Sequence, residues 1–168
     1  RRIGFRKWSE KDFELAYNLW GDYEVTKLFD RRGKLSEKQV HERLLAEIDR
    51  EKKYGVQYWP IFLKSRSEHI GACGLRPYNS KDNIFEIGFH LCSNHWGKGY
   101  ATEAALTVME FAFSTLNVNG LFAGHNPKNE ASKYLLKKIG FKYTHDEYYE
   151  PTGLQHPSYL FLRKDFTP

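Results

Sequence analysis

A polar strand face and a glycine-containing loop follow each other in the middle of the chain. In Phe85-Glu86-Ile87-Gly88-Phe89-His90-Leu91, the period of a strand places Glu86, Gly88 and His90 on one face and the apolar residues on the other. Glu86 is therefore a candidate general base, a role that contributes about 10²–10⁴-fold in rate. A carboxylate that only orients substrate or pairs with a basic neighbour is the alternative, and for His90 a structural role is favoured.

The segment His95–Thr102 leads from this strand into an alanine-rich helix. Free backbone N–H groups at a helix N-terminus attract anions. Gly97 and Gly99 remove side chains that would keep a pyrophosphate away from the backbone. The pattern fits neither a P-loop nor a dinucleotide fingerprint, which has glycine or alanine where Thr102 stands. A plain glycine turn before a helix is the alternative.

Two motifs resemble the GNAT superfamily of N-acetyltransferases, especially the branch with the ribosomal-protein N-terminal alanine acetyltransferases. The family's acetyl-CoA signature is Gln or Arg, two residues, Gly, one residue, then Gly or Ala, and it aligns with the segment 96–101. Trp96 departs from the usual Gln or Arg, which affects one side-chain contact, because the family's pyrophosphate contacts come mostly from backbone N–H groups. Downstream, Asn126–Ser132 and the later Lys138-Ile139-Gly140-Phe141 resemble the branch's Asn-x-x-Ser helix, which ends in Gly-Phe.

The resemblance covers nearly the whole chain and implies a single N-acetyltransferase domain over 1–168. The implied fold is α/β, with a mixed, mostly antiparallel sheet flanked by helices and splayed between the strand at 86–91 and the strand Leu121–His125, so that the pantetheine arm of acetyl-CoA lies between them. The implied reaction moves an acetyl group from acetyl-CoA, a cosubstrate, to a primary amine by direct attack, without a metal. The implied cofactor-binding residues are Phe89, His90, Leu91, Trp96, Gly97, Lys98, Gly99, Tyr100, Ala101, Thr102, Asn129 and Ser132.

The resemblance also suggests how the leaving thiolate gains its proton. Many superfamily members use a tyrosine four residues before the helix-ending glycine, but Leu136 stands at that position here. In this branch the serine of Asn-x-x-Ser can serve, so Ser132 is the candidate acid, although it could instead only hydrogen-bond within its helix. Tyr134 should point elsewhere on the helix. A backbone N–H near Phe89 to Leu91 would polarise the thioester carbonyl.

Leu136 is also the feature that favours a different class of protein, a non-catalytic module that binds acetyl-CoA as a regulatory ligand. The acceptor itself is open: a protein N-terminus, a polyamine and an aminoglycoside all fit an amine-acetylating site. The segment Trp20–Lys34 is expected to cover the acceptor site, and it follows no recognisable substrate code.

Hydrophobic periodicity predicts an α/β order of elements around a mixed sheet. A capping box is expected at Ser36-Glu37-Lys38-Gln39. The predicted strands are Ile3–Trp8, Val56–Leu63, His69–Leu75, Ile84–Cys92, Asn119–His125, Phe141–Thr144 and Tyr159–Arg163. The predicted helices run from Ser9 to about Leu19, from Ser36 to before Tyr54, from Ala101 to Leu116 and from Asn129 to Ile139.

Composition limits the class of protein. The chain has 168 residues, 40% of them hydrophobic, which is enough for one sizeable core. No apolar run resembles a secretory signal or a membrane span, and Cys73 and Cys92 lack CxxC spacing, so we expect a cytoplasmic protein without a membrane partner. The net charge of +5 suits a ligand with several phosphates, and no basic stripe supports nucleic-acid binding. A monomer or a homodimer is expected.

Overall fold

The N-terminal part of the chain forms one short strand and three helices. A computed structural model describes residues 1–168 throughout. β1 (Ile3–Phe5) is followed by a 3-10 turn and by α1 (Phe13–Trp20), α2 (Tyr23–Thr26) and α3 (Glu37–Tyr54). α3 begins at the predicted capping box, in which the Ser36 hydroxyl accepts from the Gln39 N–H and the Gln39 side chain accepts from the Ser36 N–H. It ends at Gly55, whose φ of +70° needs a glycine.

The remaining strands build one seven-stranded sheet in the order β1-β2-β3-β4-β5-β7-β6. All neighbouring strands are antiparallel except β4 and β5, which are parallel and are joined through a helix. These strands are β2 (Tyr58–Leu63), β3 (Glu68–Asn79), β4 (Ile84–Leu91), β5 (Gly120–Gly124), β6 (Lys142–Tyr149) and β7 (Leu154–Leu162). The mixed, mostly antiparallel sheet expected from the sequence is confirmed.

Helices cover both faces of the sheet and define two clusters of buried side chains. The larger cluster packs α4 (Tyr100–Ser114) and α5 (Glu130–Lys138) against the sheet, and Val108, Phe113 and Leu121 are among its members. The smaller cluster packs α1 and α3 on the other face, around Trp20 and Leu44. The face of β4 that carries Ile87 joins the first cluster, as the period of two predicts.

β4 and β5 separate after a short stretch of pairing. Only Ile84, Phe85 and Glu86 pair with β5, although β4 continues to Leu91 and β5 continues to Gly124. Beyond that stretch a gap opens in the middle of the sheet, which is the splay that the resemblance implied. The gap is what positions the candidate site.

Several predicted boundaries were wrong. β1 ends at Phe5 rather than Trp8, and a 3-10 turn occupies the predicted start of the first helix. The last two strands are much longer than Phe141–Thr144 and Tyr159–Arg163. β6 is a largely exposed edge strand, so it lacks the apolar alternation that marks a half-buried strand. β7 contains Pro157, a residue that argues against a strand in sequence.

Candidate active site

A cavity of about 390 Å³ occupies the gap between β4 and β5. Its walls come from the strands β2 to β7, from the loop before α4 and from α2, α3 and α5. Among the residues predicted for the site, those that line the cavity are Glu86, Phe89, His90, Leu91, Trp96, Gly97, Ala101, Asn129 and Ser132. The structure therefore brings together residues that are up to 46 positions apart in the chain, from Glu86 to Ser132.

The loop before α4 presents a run of backbone donors. The N–H groups of residues 97–102 donate to no acceptor in the protein, and the first hydrogen bond of the helix runs from the Glu103 N–H to the Gly99 carbonyl. Gly97 and Gly99 have φ values of +75° and +81°, a region in which side chains are strained. A methyl group at Gly97 would meet no protein atom within 4 Å. Such consecutive free N–H groups at a helix start form a site for an anion.

Three side chains of this loop have partners within the protein. The Lys98 ammonium donates to the Asn94 carbonyl at 3.1 Å. The Trp96 indole, 47% exposed, donates to the Leu91 carbonyl at 3.0 Å. The Tyr100 ring lies under the guanidinium of Arg2, and Lys98, Gly99, Tyr100 and Thr102 do not line the cavity. Of this segment, Trp96, Gly97 and Ala101 line the cavity, and the free groups that the loop offers are backbone N–H groups.

The backbone of β4 has its own free donors along the gap. His90 faces β3, since its carbonyl oxygen lies close to Gly71, and the Cys92 N–H donates to Ile70 of β3. Because successive residues of a strand point their N–H groups to opposite sides, Phe89 and Leu91 point theirs toward the gap. The Leu91 carbonyl points the same way, where Trp96 binds it. Of the three predicted residues, His90 is thus the one whose backbone faces away from the gap.

Glu86 lies on the polar face of β4, within reach of a buried tyrosine. The Tyr58 hydroxyl donates to Glu86 Oε1 at 3.1 Å. Burial raises the pKa of Glu86, against the opposing effects of the nearby Arg76 charge and the Tyr58 hydrogen bond. No cation lies within 4 Å of its carboxylate, although Arg76 stands opposite Glu86 in the pairing of β3 with β4. A carboxylate in a cavity is a stronger base when its pKa is raised in this way.

His90 is held in one tautomer. Trp20 Nε1 can only donate, and it lies 3.2 Å from His90 Nδ1, so Nδ1 is the acceptor and Nε2 carries the proton. Burial, followed by the charges of Arg43 and Arg76, lowers the pKa of His90 well below its ordinary value. The imidazole is therefore neutral at physiological pH. Its stacking on Phe29 at 4.2 Å matches the structural role favoured by the sequence.

α5 places a free hydroxyl on the opposite wall. The Asn129 side chain caps the helix by accepting from the Ser132 N–H at 3.1 Å. The Ser132 hydroxyl has no hydrogen-bond partner in the protein, whereas Thr107 bonds back to its own helix through the Glu103 carbonyl. Leu136 is 1% exposed and lines the cavity, while Tyr134 is 68% exposed and does not.

Comparisons with known proteins fit this geometry. A family model described as an acetyltransferase (GNAT) domain matches residues 2–142. The chain belongs to the GNAT acetyltransferase family. This GNAT chain is 30% identical over 141 residues to the uncharacterised N-acetyltransferase p20 of Bacillus licheniformis, a match that covers 84% of the chain and 79% of p20. It is an acetyl-CoA-dependent acyltransferase.

Solved structures share the GNAT fold over nearly the full length. A GNAT-family acetyltransferase from Bacillus anthracis superposes with a TM-score of 0.82 at 22% identity, covering 98% of this chain and 96% of that one. The ribosomal-protein-S5-alanine acetyltransferase of Vibrio fischeri superposes with a TM-score of 0.76 at 18% identity, covering 100% and 97%. At these identities the likeness concerns the fold. No helix of the GNAT chain combines the length and apolar character that a membrane crossing requires.

Several residues that shape the GNAT site were missed in the sequence. Arg2 donates to the Lys98 carbonyl at 3.1 Å and pairs with Glu103, which fixes the peptide whose N–H belongs to Gly99. Tyr58, Arg43 and Arg76 line the cavity from β2, α3 and β3. They lie far from the motifs in sequence, so no local pattern marks them. One feature of the sequence did point to Tyr58. Gly88 is a glycine inside a strand, which often marks a close approach of another group, and a Cβ at Gly88 would lie 2.2 Å from the Tyr58 hydroxyl.

Proposed function

We propose that this acyltransferase moves the acetyl group of acetyl-CoA to a primary amine by direct attack, with Glu86 as general base and Ser132 as general acid. The observation that carries the proposal is that one cavity is lined by the Glu86 carboxylate from β4 and by the free Ser132 hydroxyl from α5. The gap between β4 and β5 gives the thioester a place between them. A small-molecule amine and a protein N-terminus both fit this chemistry.

The residues of the loop fit the diphosphate of acetyl-CoA. The free N–H groups of residues 97–102 would hold its negative charges, and the empty space beside Gly97 would admit them. The free N–H groups of Phe89 and Leu91 would bind the pantetheine arm and polarise the thioester carbonyl. Binding through the backbone accounts for Trp96 in place of Gln or Arg, because the side chain at that position is not needed.

Gly97→Ala is expected to weaken binding of coenzyme A roughly tenfold or more, because the methyl group enters the diphosphate space and the loop loses charge-assisted hydrogen bonds. The measurement is isothermal titration calorimetry with coenzyme A. Gly55→Ala is a matched control, since Gly55 also has positive φ and no protein atom within 4 Å of an added methyl group. Both variants should lose stability from backbone strain, about 1–2 kcal/mol. Equal affinities for coenzyme A in both variants would contradict the proposed diphosphate site at residues 97–102.

In the proposed reaction, Glu86 takes a proton from the acceptor's ammonium group, directly or through water, and so leaves a neutral amine. The amine nitrogen forms a bond to the carbonyl carbon, and the carbon–sulfur bond breaks. Ser132 gives its proton to the departing thiolate and regains one that the new amide nitrogen loses. The products are the N-acetylated amine and coenzyme A, and the proton held by Glu86 passes to solvent.

Ser132→Ala is expected to lower kcat by roughly 10²-fold or more, since a positioned acid contributes that much. The KM for acetyl-CoA should change little, because the Asn129 cap uses the Ser132 backbone N–H, which alanine keeps. Ser132→Thr retains a hydroxyl and should recover a large part of the rate. Steady-state kinetics separates kcat from KM. A full kcat in Ser132→Ala would remove the acid role from this residue.

A regulatory module that binds acetyl-CoA without turnover is the second candidate, and buried Leu136 at the usual tyrosine position favours it. The test is release of coenzyme A from acetyl-CoA with a panel of small amines and N-terminal peptides, using the native chain, Glu86→Gln and Ser132→Ala. Turnover by the native chain that falls in both variants, while acetyl-CoA still binds, supports the transferase. Binding without turnover across the panel supports the module.

A further inference from the structure

The cavity is lined by five charged side chains, and four of them already have a polar partner. These five are Glu24, Arg43, Arg76, Glu86 and Glu147. Glu24 pairs with Lys27 at 2.6 Å, Arg76 pairs with Glu47 at 3.0 Å, and Glu147 accepts from the Tyr78 hydroxyl at 2.9 Å. Glu86 accepts from the Tyr58 hydroxyl, and Arg43 has neither an ion-pair partner nor a hydrogen-bond acceptor. One cation without a polar partner therefore faces the cavity.

Arg43 has aromatic neighbours and no hydrogen-bond acceptor. Its guanidinium carbon lies 4.7 Å from the centre of the Trp20 ring and 5.1 Å from that of the Phe29 ring. No carboxylate lies within 4 Å, no protein atom accepts from its nitrogens, and Nε is buried without a partner. Burial and the Arg76 charge lower the pKa of Arg43 to about 10, so the group stays charged at neutral pH.

Aromatic rings compensate only part of the cost of desolvating such a cation. They attract the charge, but they leave its N–H donors unsatisfied. A guanidinium presents its donors in a planar fork that matches a carboxylate in a bidentate arrangement. Arg76 already binds Glu47, so the donors that an added carboxylate would satisfy are those of Arg43.

A chain of contacts connects Arg43 to Glu86. Phe29, under the Arg43 guanidinium, stacks on His90 with ring centres 4.2 Å apart. The His90 ring in turn lies 5.7 Å from that of Tyr58, whose hydroxyl binds Glu86. Aromatic rings thus connect the surroundings of the Arg43 guanidinium with those of the Glu86 carboxylate.

We propose that the acceptor carries a carboxylate in addition to its amine, and that Arg43 binds this carboxylate while Glu86 faces the amine. The inference rests on the proposed function and names its substrate class: an amino acid or a short peptide with a carboxylate near the amine. A purely cationic polyamine leaves Arg43 unpaired and brings further positive charge to it. An aminoglycoside meets the same obstacle.

The test compares acceptors that differ only in the carboxylate. L-amino acids, ω-amino acids of increasing length and dipeptides are each supplied as the free acid and as the carboxamide. Binding is measured by calorimetry in the presence of coenzyme A, and kcat/KM is measured by release of coenzyme A. In the native chain, the best acid is expected to exceed its carboxamide by roughly 10- to 100-fold in affinity and in kcat/KM, as a charge-assisted bidentate contact provides.

Arg43→Met should abolish this preference while it keeps an unbranched side chain against Trp20 and Phe29. Arg43→Lys, which retains the charge without the fork, should keep part of the preference. Lys52→Met is the matched control, because it removes one positive charge from the exposed side of the same helix. It should leave the preference unchanged.

The outcomes separate this inference from the proposed function. Carboxamides that bind and react as well as their acids, or a preference that survives in Arg43→Met, would overturn the assignment of Arg43 even if the enzyme acetylates amines. Selective, Arg43-dependent binding of acids without any turnover would support the carboxylate site and contradict the proposed transferase function. Binding of no acid better than its carboxamide across the panel rejects the carboxylate site regardless of turnover.

Discussion

Glu86→Gln is expected to lower kcat/KM for the acceptor by about 10²–10⁴-fold, because the variant cannot take the proton that the attacking amine must lose. The substitution keeps the size of the side chain and an oxygen that can accept from the Tyr58 hydroxyl. Affinity for coenzyme A should therefore be unchanged. Steady-state kinetics with a responsive acceptor, together with calorimetry for coenzyme A, measures both effects.

The pH dependence of kcat/KM tests the base role of Glu86 separately. Burial raises the pKa of Glu86, and only the ionised carboxylate can act as base, so kcat/KM of the native chain should rise with pH through that raised pKa and then level off. Glu86→Gln should lose this acidic limb. Glu147→Gln, in the same cavity but held by Tyr78, is the control and should keep the limb, moved to lower pH because the Glu147 charge helps to raise the pKa of Glu86. A native-like rate and limb in Glu86→Gln would exclude the base role.

Glu47→Ala is expected to lower the free energy of unfolding by about 3–5 kcal/mol, the usual cost of leaving a buried charge without its partner. The Glu47 side chain is 1% exposed, and it binds Arg76 at 3.0 Å and Arg50 at 2.9 Å. It also accepts from the Tyr58 N–H at 2.8 Å, so it ties α3 to β2 and β3. Without it, Arg76 and Arg50 lie uncompensated near the already unpaired Arg43.

Urea denaturation followed by tryptophan fluorescence measures the effect. Asp49→Ala is the control: it removes a carboxylate from the same helix, but one that pairs with Lys53 at an exposed site. That variant should unfold close to the native midpoint. Equal midpoints for Glu47→Ala and Asp49→Ala would show that the buried cluster does not stabilise the fold.

Local patterns predicted the parts of the fold whose side chains face one apolar layer. The alternation in β4 and the stripe of α4 both depend on burial against the larger cluster, and both appear as expected. The capping box at Ser36 works through neighbours in sequence, so it could also be predicted. The exposed β6 has no such layer on one side, and its length is set by pairing with β7.

The candidate site divides in the same way. The donors of residues 97–102 follow from glycines next to a helix start, a local feature that the sequence shows. The contacts of Tyr58 with Glu86 and of Arg2 with Lys98 join residues 28 and 96 positions apart. Only the assembled sheet determines such contacts. That Arg43 has no partner likewise depends on the elements that pack around it, among them those that carry Trp20 and Phe29.

The most direct test of acetyl transfer to an amine is to incubate the protein with acetyl-CoA labelled with carbon-13 in the acetyl group, together with the amine panel, and to identify the products by mass spectrometry. We expect a labelled N-acetyl amine, formed with an equal amount of coenzyme A and without a labelled acetyl group on the protein in single-turnover samples. Tight binding of acetyl-CoA with no labelled amine across the panel, or an acetylated protein that precedes the product, would contradict direct transfer.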